Sequence, residues 1–241
     1  MSSVWIIAKR ELASFFDSLT AYVLIVIFLL LSGFFTWIFG NNVFMIGQAD
    51  LQVFFTIAYW TLFFFIPAVT MKTLAEENKA GTIELLMTKA ITDWQIVTGK
   101  FLACLLLIGV TLACTITYYL TVMQLGNIDH GAVWGGYFGL LLMSAAYIAI
   151  GIFSSSLTNN QIVAFLISLS IGSFFHLIFD ALSGNLRGTL GSILNYLSAS
   201  SHFESISRGV IDLRDLVYFS SVTFLGLLLA QTMLSKRNWQ D

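Results

Sequence analysis

The sequence predicts an all-α polytopic membrane protein: six transmembrane helices preceded by an N-terminal amphipathic interfacial helix. Three observations point there. The 241-residue chain is 58% hydrophobic and only 10% charged, with a mean hydropathy of +0.87, whereas a soluble domain carries roughly 25% charged residues. Six apolar stretches approach the roughly twenty residues that a helix needs to cross the hydrocarbon core. The period-2 alternation of barrel strands is absent, which leaves helices, whose backbone groups bond within the segment, as the way to span. The net charge of −2 supplies no basic field for nucleic acid, which excludes that class of partner.

The first element is the amphipathic stretch Ser2–Leu19. Val4, Trp5, Ala8, Leu12, Phe15, Phe16 and Leu19 recur at helical spacing, with Arg10, Ser14 and Asp17 on the other side. Such a helix lies in the headgroup plane and is too polar to cross. Trp5 suits an interfacial anchor, and Arg10 and Glu11 are the candidate polar residues of this element. The charges fall inside the apolar pattern and no small-residue cleavage site follows, so the stretch does not resemble a signal peptide. A plain anchor and a mechanically coupled helix both fit the pattern.

The expected spans are Tyr22–Phe39, Val53–Met71, Phe101–Gln124, Val133–Phe153, Ile162–Phe179 and Leu216–Leu234. Residues 1–20 then form the interfacial helix, 21–235 the membrane domain and 236–241 a short tail. Within the membrane domain, 72–100 is one polar loop and 180–215 is a long loop on the opposite side. Lys9, Arg10, Lys72, Lys79, Lys89, Lys100, Lys236 and Arg237 fall in alternate segments, against Arg187, Arg208 and Arg214 on the other side. The excess places both termini and the 72–100 loop in the cytoplasm.

Pro67, the single proline, removes a backbone donor inside the second span and predicts a bend there. Gly135 and Gly139, with Ala145 and Ala149 beyond, suit close helix packing. Cys104 and Cys114 lie about 15 Å apart along one helix, too far to bridge. No Cys, His or acidic spacing suggests a metal site.

The 72–100 loop concentrates charge. Glu76, Glu77, Lys79, Glu84, Lys89, Asp93 and Lys100 crowd it, in a chain with 11 basic and 13 acidic residues. Thr82 can cap a short helix in which Ile83, Leu86 and Met87 share a face, with Leu85 beside them and Glu84 turned away. Gly81 permits a sharp turn before it. An apolar ridge flanked by charge suits docking to another protein. A solvated linker resting on the membrane surface is the alternative.

The chain has no ATP-binding loop of the G-x-x-x-x-G-K-[ST] kind. Its one Gly-Lys pair, Gly99-Lys100, is followed by Phe101 and has Trp94 where the first glycine belongs. The first four expected spans hold no Asp, Glu, Lys or Arg, unlike an ion-coupled carrier. His176, with Asp180 four residues later, could form one helical pair near the outer end of the fifth span. No paired carboxylates or activated nucleophile supports an intramembrane enzyme. In the 180–215 loop an apolar stripe, Leu186, Leu190, Ile193, Leu194 and Leu197, leaves open a re-entrant dip into the bilayer. Glu204, Arg208 and Asp212, at i, i+4 and i+8, form a charge ladder if one helix carries them. With His202 and Asp215 they are the candidate residues of an outer lid or partner contact.

The stretch EENKAGTIELLMTKAITDWQIVTGKF resembles the signature that follows the second span in ABC-2 type transporter permeases. SSLTNNQIVAF, Ser155–Phe165, is similar to that family's tight turn between the fourth and fifth spans. HFESISRGVIDLRDLVYF, His202–Phe219, resembles the entry to the sixth span in its gliding-motility branch. The resemblance implies the ABC-2 permease fold in a bacterial cytoplasmic membrane. It implies that Glu76, Glu77, Gly81, Thr82, Ile83, Glu84, Leu85, Leu86 and Met87 belong to a coupling helix docking on a cytosolic ABC ATPase subunit. ATP and magnesium would bind that partner, and this chain would bind no cofactor. It further implies a second permease subunit, identical or homologous, and export or mechanical work in gliding motility. A force-transmitting scaffold subunit that moves no substrate is the alternative.

Overall fold

The structure is a computed structural model that describes residues 3–40, 43–81, 92–186 and 188–237. Among these residues the regular secondary structure is all helical, without strands. The elements are α1 (Ser3–Asp17), α2 (Leu19–Trp37), α3 (Val43–Ile46), α4 (Gln52–Thr70), α5 (Ala75–Ala80), α6 (Asp93–Cys114), α7 (Ile116–Leu125), α8 (His130–Ser156) and α9 (Gln161–Ser173). A π-helical turn, Phe174–Ile178, joins α9 to α10 (Phe179–Asn185), and α11 (Thr189–Leu197), α12 (Ala199–Ser207) and α13 (Leu213–Arg237) complete the chain. Among the described residues, six segments are long and apolar enough to cross a membrane: Leu19–Trp37, Gln52–Ala80, Asp93–Leu125, His130–Ser156, Gln161–Asn185 and Leu213–Lys236.

Each expected span overlaps one of these segments, but local capping chemistry moves the ends. The third span begins at Asp93, the start of α6, instead of Phe101. Thr92 Oγ1 accepts from the Gln95 amide at 3.4 Å while Gln95 Oε1 accepts from the Thr92 amide at 3.2 Å, a capping box that fixes the start. Lys100, expected in the loop, is therefore a helix residue. Asp129 caps α8 through the Gly131 and Ala132 amides, and Asn160 caps α9 through the Ile162 amide. In the second span, α4 runs through Pro67 to Thr70.

The fourth span is the hub. It packs on the second, third, fifth and sixth spans and on α12, whereas the first span lies mainly against the second. Its apolar window is 72% buried, against 22% for the fifth and sixth spans, so those two present most of their surface outward. Small residues permit the close approaches. A Cβ on Gly226 of the sixth span would lie 2.9 Å from Ala149 of the fourth, and one on Gly151 would run into the Thr70 side chain. Gly135 and Gly139 receive α12, through Ile206 and Phe203, so the small-residue face expected from the sequence takes an outer helix. Hydroxyls inside the spans bond to their own helix. Thr36, Thr61, Thr70, Thr111, Ser144 and Ser154 each donate to the carbonyl four residues earlier, at 2.6–2.9 Å, which satisfies them where water is absent.

α1 keeps its expected polar side, Arg10, Ser14 and Asp17, exposed and turns the other side to the protein. Its buried side chains are Ile7, Ala8 and Phe15, while Trp5 is 45% exposed and Leu19, 78% exposed, begins the next helix. α1 packs along α6, with Ile7 against Ile96 and Gly99. One face serves the protein, and Trp5 is left on the outward side.

Gly226→Leu is expected to lower stability by about 1–3 kcal/mol through overpacking against Ala149. Thermal unfolding in detergent checks this, with Gly109→Leu, at a glycine with open space beside it, as the mild control.

Candidate functional site

The densest polar arrangement lies where α1, the end of the second span and the start of the third meet. Lys100 points into this junction, its side chain 1% exposed. Its Nζ donates to Thr73 O at 2.7 Å, Glu77 Oε1 at 2.8 Å and Glu11 Oε1 at 3.2 Å. Three donors meet three acceptors, which is what a buried ammonium requires. Arg10 closes the cluster from outside, 2.8 Å from Glu11 Oε1 and 3.6 Å from Glu77 Oε1. Burial alone would raise the Glu11 carboxyl. The Lys100 ammonium and the Arg10 and Lys100 hydrogen bonds outweigh it, and the Glu11 pKa falls below its ordinary value of 4.5.

Two further contacts fix the same segment. Ser155 Oγ, at the end of the fourth span, accepts from the Leu74 and Ala75 amides at 3.0 and 2.9 Å and donates to Met71 O at 3.0 Å. These two amides belong to the unsatisfied start of α5, so one buried hydroxyl serves as its cap. Lys72 Nζ donates to Thr20 Oγ1 at 3.0 Å and lies 5.1 Å from the centre of the Phe15 ring. α5 ends at Gly81 with φ of +67°, a left-handed C-cap that glycine adopts without a Cβ clash. The expected coupling residues therefore divide. Glu77 belongs to the buried cluster, Glu76 is exposed on the same short helix, and Gly81 terminates it. Thr82, Ile83, Glu84, Leu85, Leu86 and Met87 lie outside the described residues.

At the other end of the bundle, His202 Nδ1 lies 2.6 Å from Asp215 Oδ1, and His202 Nε2 lies 3.0 Å from the Tyr196 carbonyl oxygen. The imidazole stacks on Tyr218 with ring centres 4.2 Å apart, and Tyr218 Oη donates to Leu197 O at 2.7 Å. α11, α12 and α13 are thus joined around one buried side chain. The charge ladder expected through Glu204, Arg208 and Asp212 does not form. α12 ends at Ser207 and the chain turns at Gly209, φ +86°. Arg208 reaches back to Glu204 at 3.6 Å, while Asp212 pairs with Arg214 at 2.7 Å. Both pairs are exposed and worth little to stability. The hydrogen bond from Arg214 holds the Asp212 carboxyl below its usual value.

The expected His176–Asp180 pair does not form either. The π-helical turn adds a residue to the local repeat, so His176 turns inward, 1% exposed, while Asp180 faces out. The imidazole is stacked between Tyr59 at 4.0 Å and Phe63 at 4.2 Å, and its Nδ1 lies 2.9 Å from Tyr147 Oη. Tyr59 in turn stacks on Phe203 of α12 at 4.8 Å. This aromatic column links the outer helices to the second span.

Sequence reasoning missed Lys100 as a buried residue, Ser155 as a cap and His202–Asp215 as a pair. A signal for the first was present. Lys100 lies four residues after Ile96 and four before Cys104 on the buried face of α6, and Glu11 lies on the Ile7–Phe15 face of α1. A lone charge on each of two apolar faces marks a buried pair. No periodicity identifies Ser155, whose role depends on a backbone 80 residues away. Among the described residues no cluster of His, Cys, Asp and Glu could hold a metal ion.

A family model described as "ABC-2 family transporter protein" matches residues 41–234, well over half of the chain. No curated protein matches it.

Lys100→Met leaves Glu11 and Glu77 facing each other and is expected to cost about 3 kcal/mol. The value sits at the low end because those carboxylates are 16% and 17% exposed; denaturant unfolding in detergent reads it. The Glu11 carboxyl is lowered on folding, so its stabilising contribution is fully present above 4.5 and is lost as the pH falls through the folded value. Glu11→Gln is expected to remove that part of the acid sensitivity. His202→Ala strands Asp215 and is expected to loosen the outer helices by about 2 kcal/mol, seen as faster amide exchange through Thr189–Ser207.

Proposed function

The chain belongs to the ABC-2 family of transporter proteins, and on that premise we propose that it couples ATP hydrolysis in a separate cytosolic ABC ATPase to movement of its own six spans. Membership makes it a membrane permease component, with an ABC ATPase as the general partner of such a chain. The finer assignment is that Glu76–Met87 docks on the ATPase. The membrane is a bacterial inner membrane in this reading, and the Lys and Arg distribution supports placing both termini in the cytoplasm. A second permease subunit, identical or homologous, faces this one. The work is export or mechanical, and the resemblance of His202–Phe219 favours gliding motility.

The observation that carries this reading is the Lys100 cluster. A push delivered beyond Gly81 reaches α5, and α5 is held to α1 and to the third span through Glu77, Lys100 and Glu11. It is also held to the fourth span, the hub, through Ser155. Force on this short helix therefore reaches three elements at once. Coupling of this kind requires contacts that differ between the nucleotide states of the partner. Short, individually breakable polar contacts in a low-dielectric pocket provide such contacts.

Proline cannot adopt the positive φ of Gly81. Gly81→Pro is therefore expected to leave the six-helix fold intact and to disconnect ATP turnover from transport or motility. The measurement is ATPase rate and transport, or cell movement, in the purified complex and in cells. Normal coupling in this variant would refute the docking assignment.

A further inference from the structure

We infer that the inner end of the first two spans is a binding site for one zwitterionic aminophospholipid, phosphatidylethanolamine in chemical class. Its acyl chain lies between the spans and its headgroup spans Lys72 and Glu76. An apolar groove of about 430 Å³ runs between the first and second spans, walled by Leu19, Val23, Ile27, Phe65, Ala68 and Val69. Leu19, Val23 and Ile27 are 78%, 50% and 41% exposed, so the groove opens sideways toward the bilayer. A polar hollow of about 360 Å³ adjoins it, lined by α1, the end of the second span and α5. Thr20 lines the groove and Lys72 lines the hollow, and the 3.0 Å hydrogen bond from Lys72 Nζ to Thr20 Oγ1 marks where they join. An acyl-lined slot ending at an ammonium is the form of a phospholipid site between membrane helices.

Charge complementarity selects the headgroup. The hollow is faced by Arg10, Lys72 and Lys100 and by Glu11, Glu76 and Glu77, so its formal charge is balanced and does not favour a net anion. Arg10 and Lys100 are already paired with Glu11 and Glu77. Lys72 and Glu76 have no ion-pair partner among the described residues. The Glu76 amide donates to Lys72 O at 3.3 Å, so the two lie one helical turn apart. They do not close on each other; Lys72 turns to Thr20 at the groove. The cluster therefore leaves one cation at the mouth of the slot and one carboxylate beyond it. A phosphate followed by a primary ammonium matches that order, with the phosphate on Lys72 and the ammonium donating to Glu76. Choline cannot donate such hydrogen bonds, and glycerol carries no positive charge for Glu76.

The test is native mass spectrometry of the purified full-length chain after delipidation and exchange into nanodiscs of phosphatidylethanolamine, phosphatidylcholine or phosphatidylglycerol. Wild type is expected to retain a single phosphatidylethanolamine per chain in preference to the other two, and inorganic phosphate is expected not to displace it. Lys72→Gln should weaken retention about tenfold or more. Glu76→Gln should erase the preference for ethanolamine over choline. Ala68→Trp, or Val23→Trp on the more exposed wall, should fill the groove and abolish retention with helicity unchanged. Equal retention of phosphatidylglycerol by wild type would overturn the assignment in favour of a plain cationic patch. Retention unaffected by both tryptophans, or a second chain found crosslinked in the groove, would also overturn it. Each readout is independent of ATPase coupling, so failure here leaves the proposed function standing.

Discussion

A buried ammonium sets the terms for the end of this molecule where α1, α5 and the start of the third span meet. Taking the Lys100 charge out of water is costly, and that cost is tolerable only because a carbonyl and two carboxylates arrive together around it. The carbonyl comes from the turn after the second span, one carboxylate from α5 and the other from α1. Each acceptor belongs to a different element, so none can leave without exposing an uncompensated charge. The helix that carries Lys100 therefore dictates where the amphipathic start and the post-span segment sit. Arg10 adds a second cation at the rim and keeps two neighbouring carboxylates from repelling each other.

The membrane imposes a different constraint on the spans. Without water, the hydrophobic effect gives helices no reason to associate, and close backbone approach and internal polar satisfaction do that work. The fourth span meets both conditions. Its glycines admit Thr70, α12 and, at Gly136, the Phe55 ring, and its serines bond to their own backbone. At its inner end Ser155 turns from that pattern and serves another segment. At the outer half, Tyr147 holds His176 within the column of rings that begins at Phe203 and ends at Phe63. The hub therefore touches the candidate coupling segment at one end and the outer helices at the other, and the second span runs beside it through both. A displacement at α5 has a contiguous route of packed and hydrogen-bonded groups toward the outer clasp around His202, which is the physical precondition for long-range coupling.

Much of this was legible from residue order. Apolar runs of sufficient length located all six spans, because bilayer thickness and helix rise fix the number of residues required. The helical recurrence of apolar residues in 3–17 revealed α1 and its inward face, through Ala8, Leu12, Phe15 and Phe16, with Trp5 the exception that stays outward. The outer loop's apolar stripe became α11, with Leu190 and Ile193 left outward. The charge ladder and the His176–Asp180 pair failed for a shared reason. Both assumed an uninterrupted 3.6-residue repeat, and the turn at Gly209 and the π-helical insertion at Phe174–Ile178 break it.

By itself, then, the sequence determined that the chain carries six helices long and apolar enough to cross a membrane, that residues 3–17 form an amphipathic helix, and that its charge is gathered after the second span. Those properties depend on composition and on neighbours within a few turns of one helix. Only the tertiary structure decided that Lys100 is interior, that Glu11 and Glu77 share it, that Ser155 caps α5, and that His202 clasps Asp215. The reason is distance along the chain. Lys100 meets partners 89 and 23 residues away; a lone charge on an apolar helix face hints that it is interior, but which faces of separate helices come together, and so which partners it meets, is set by the tertiary packing.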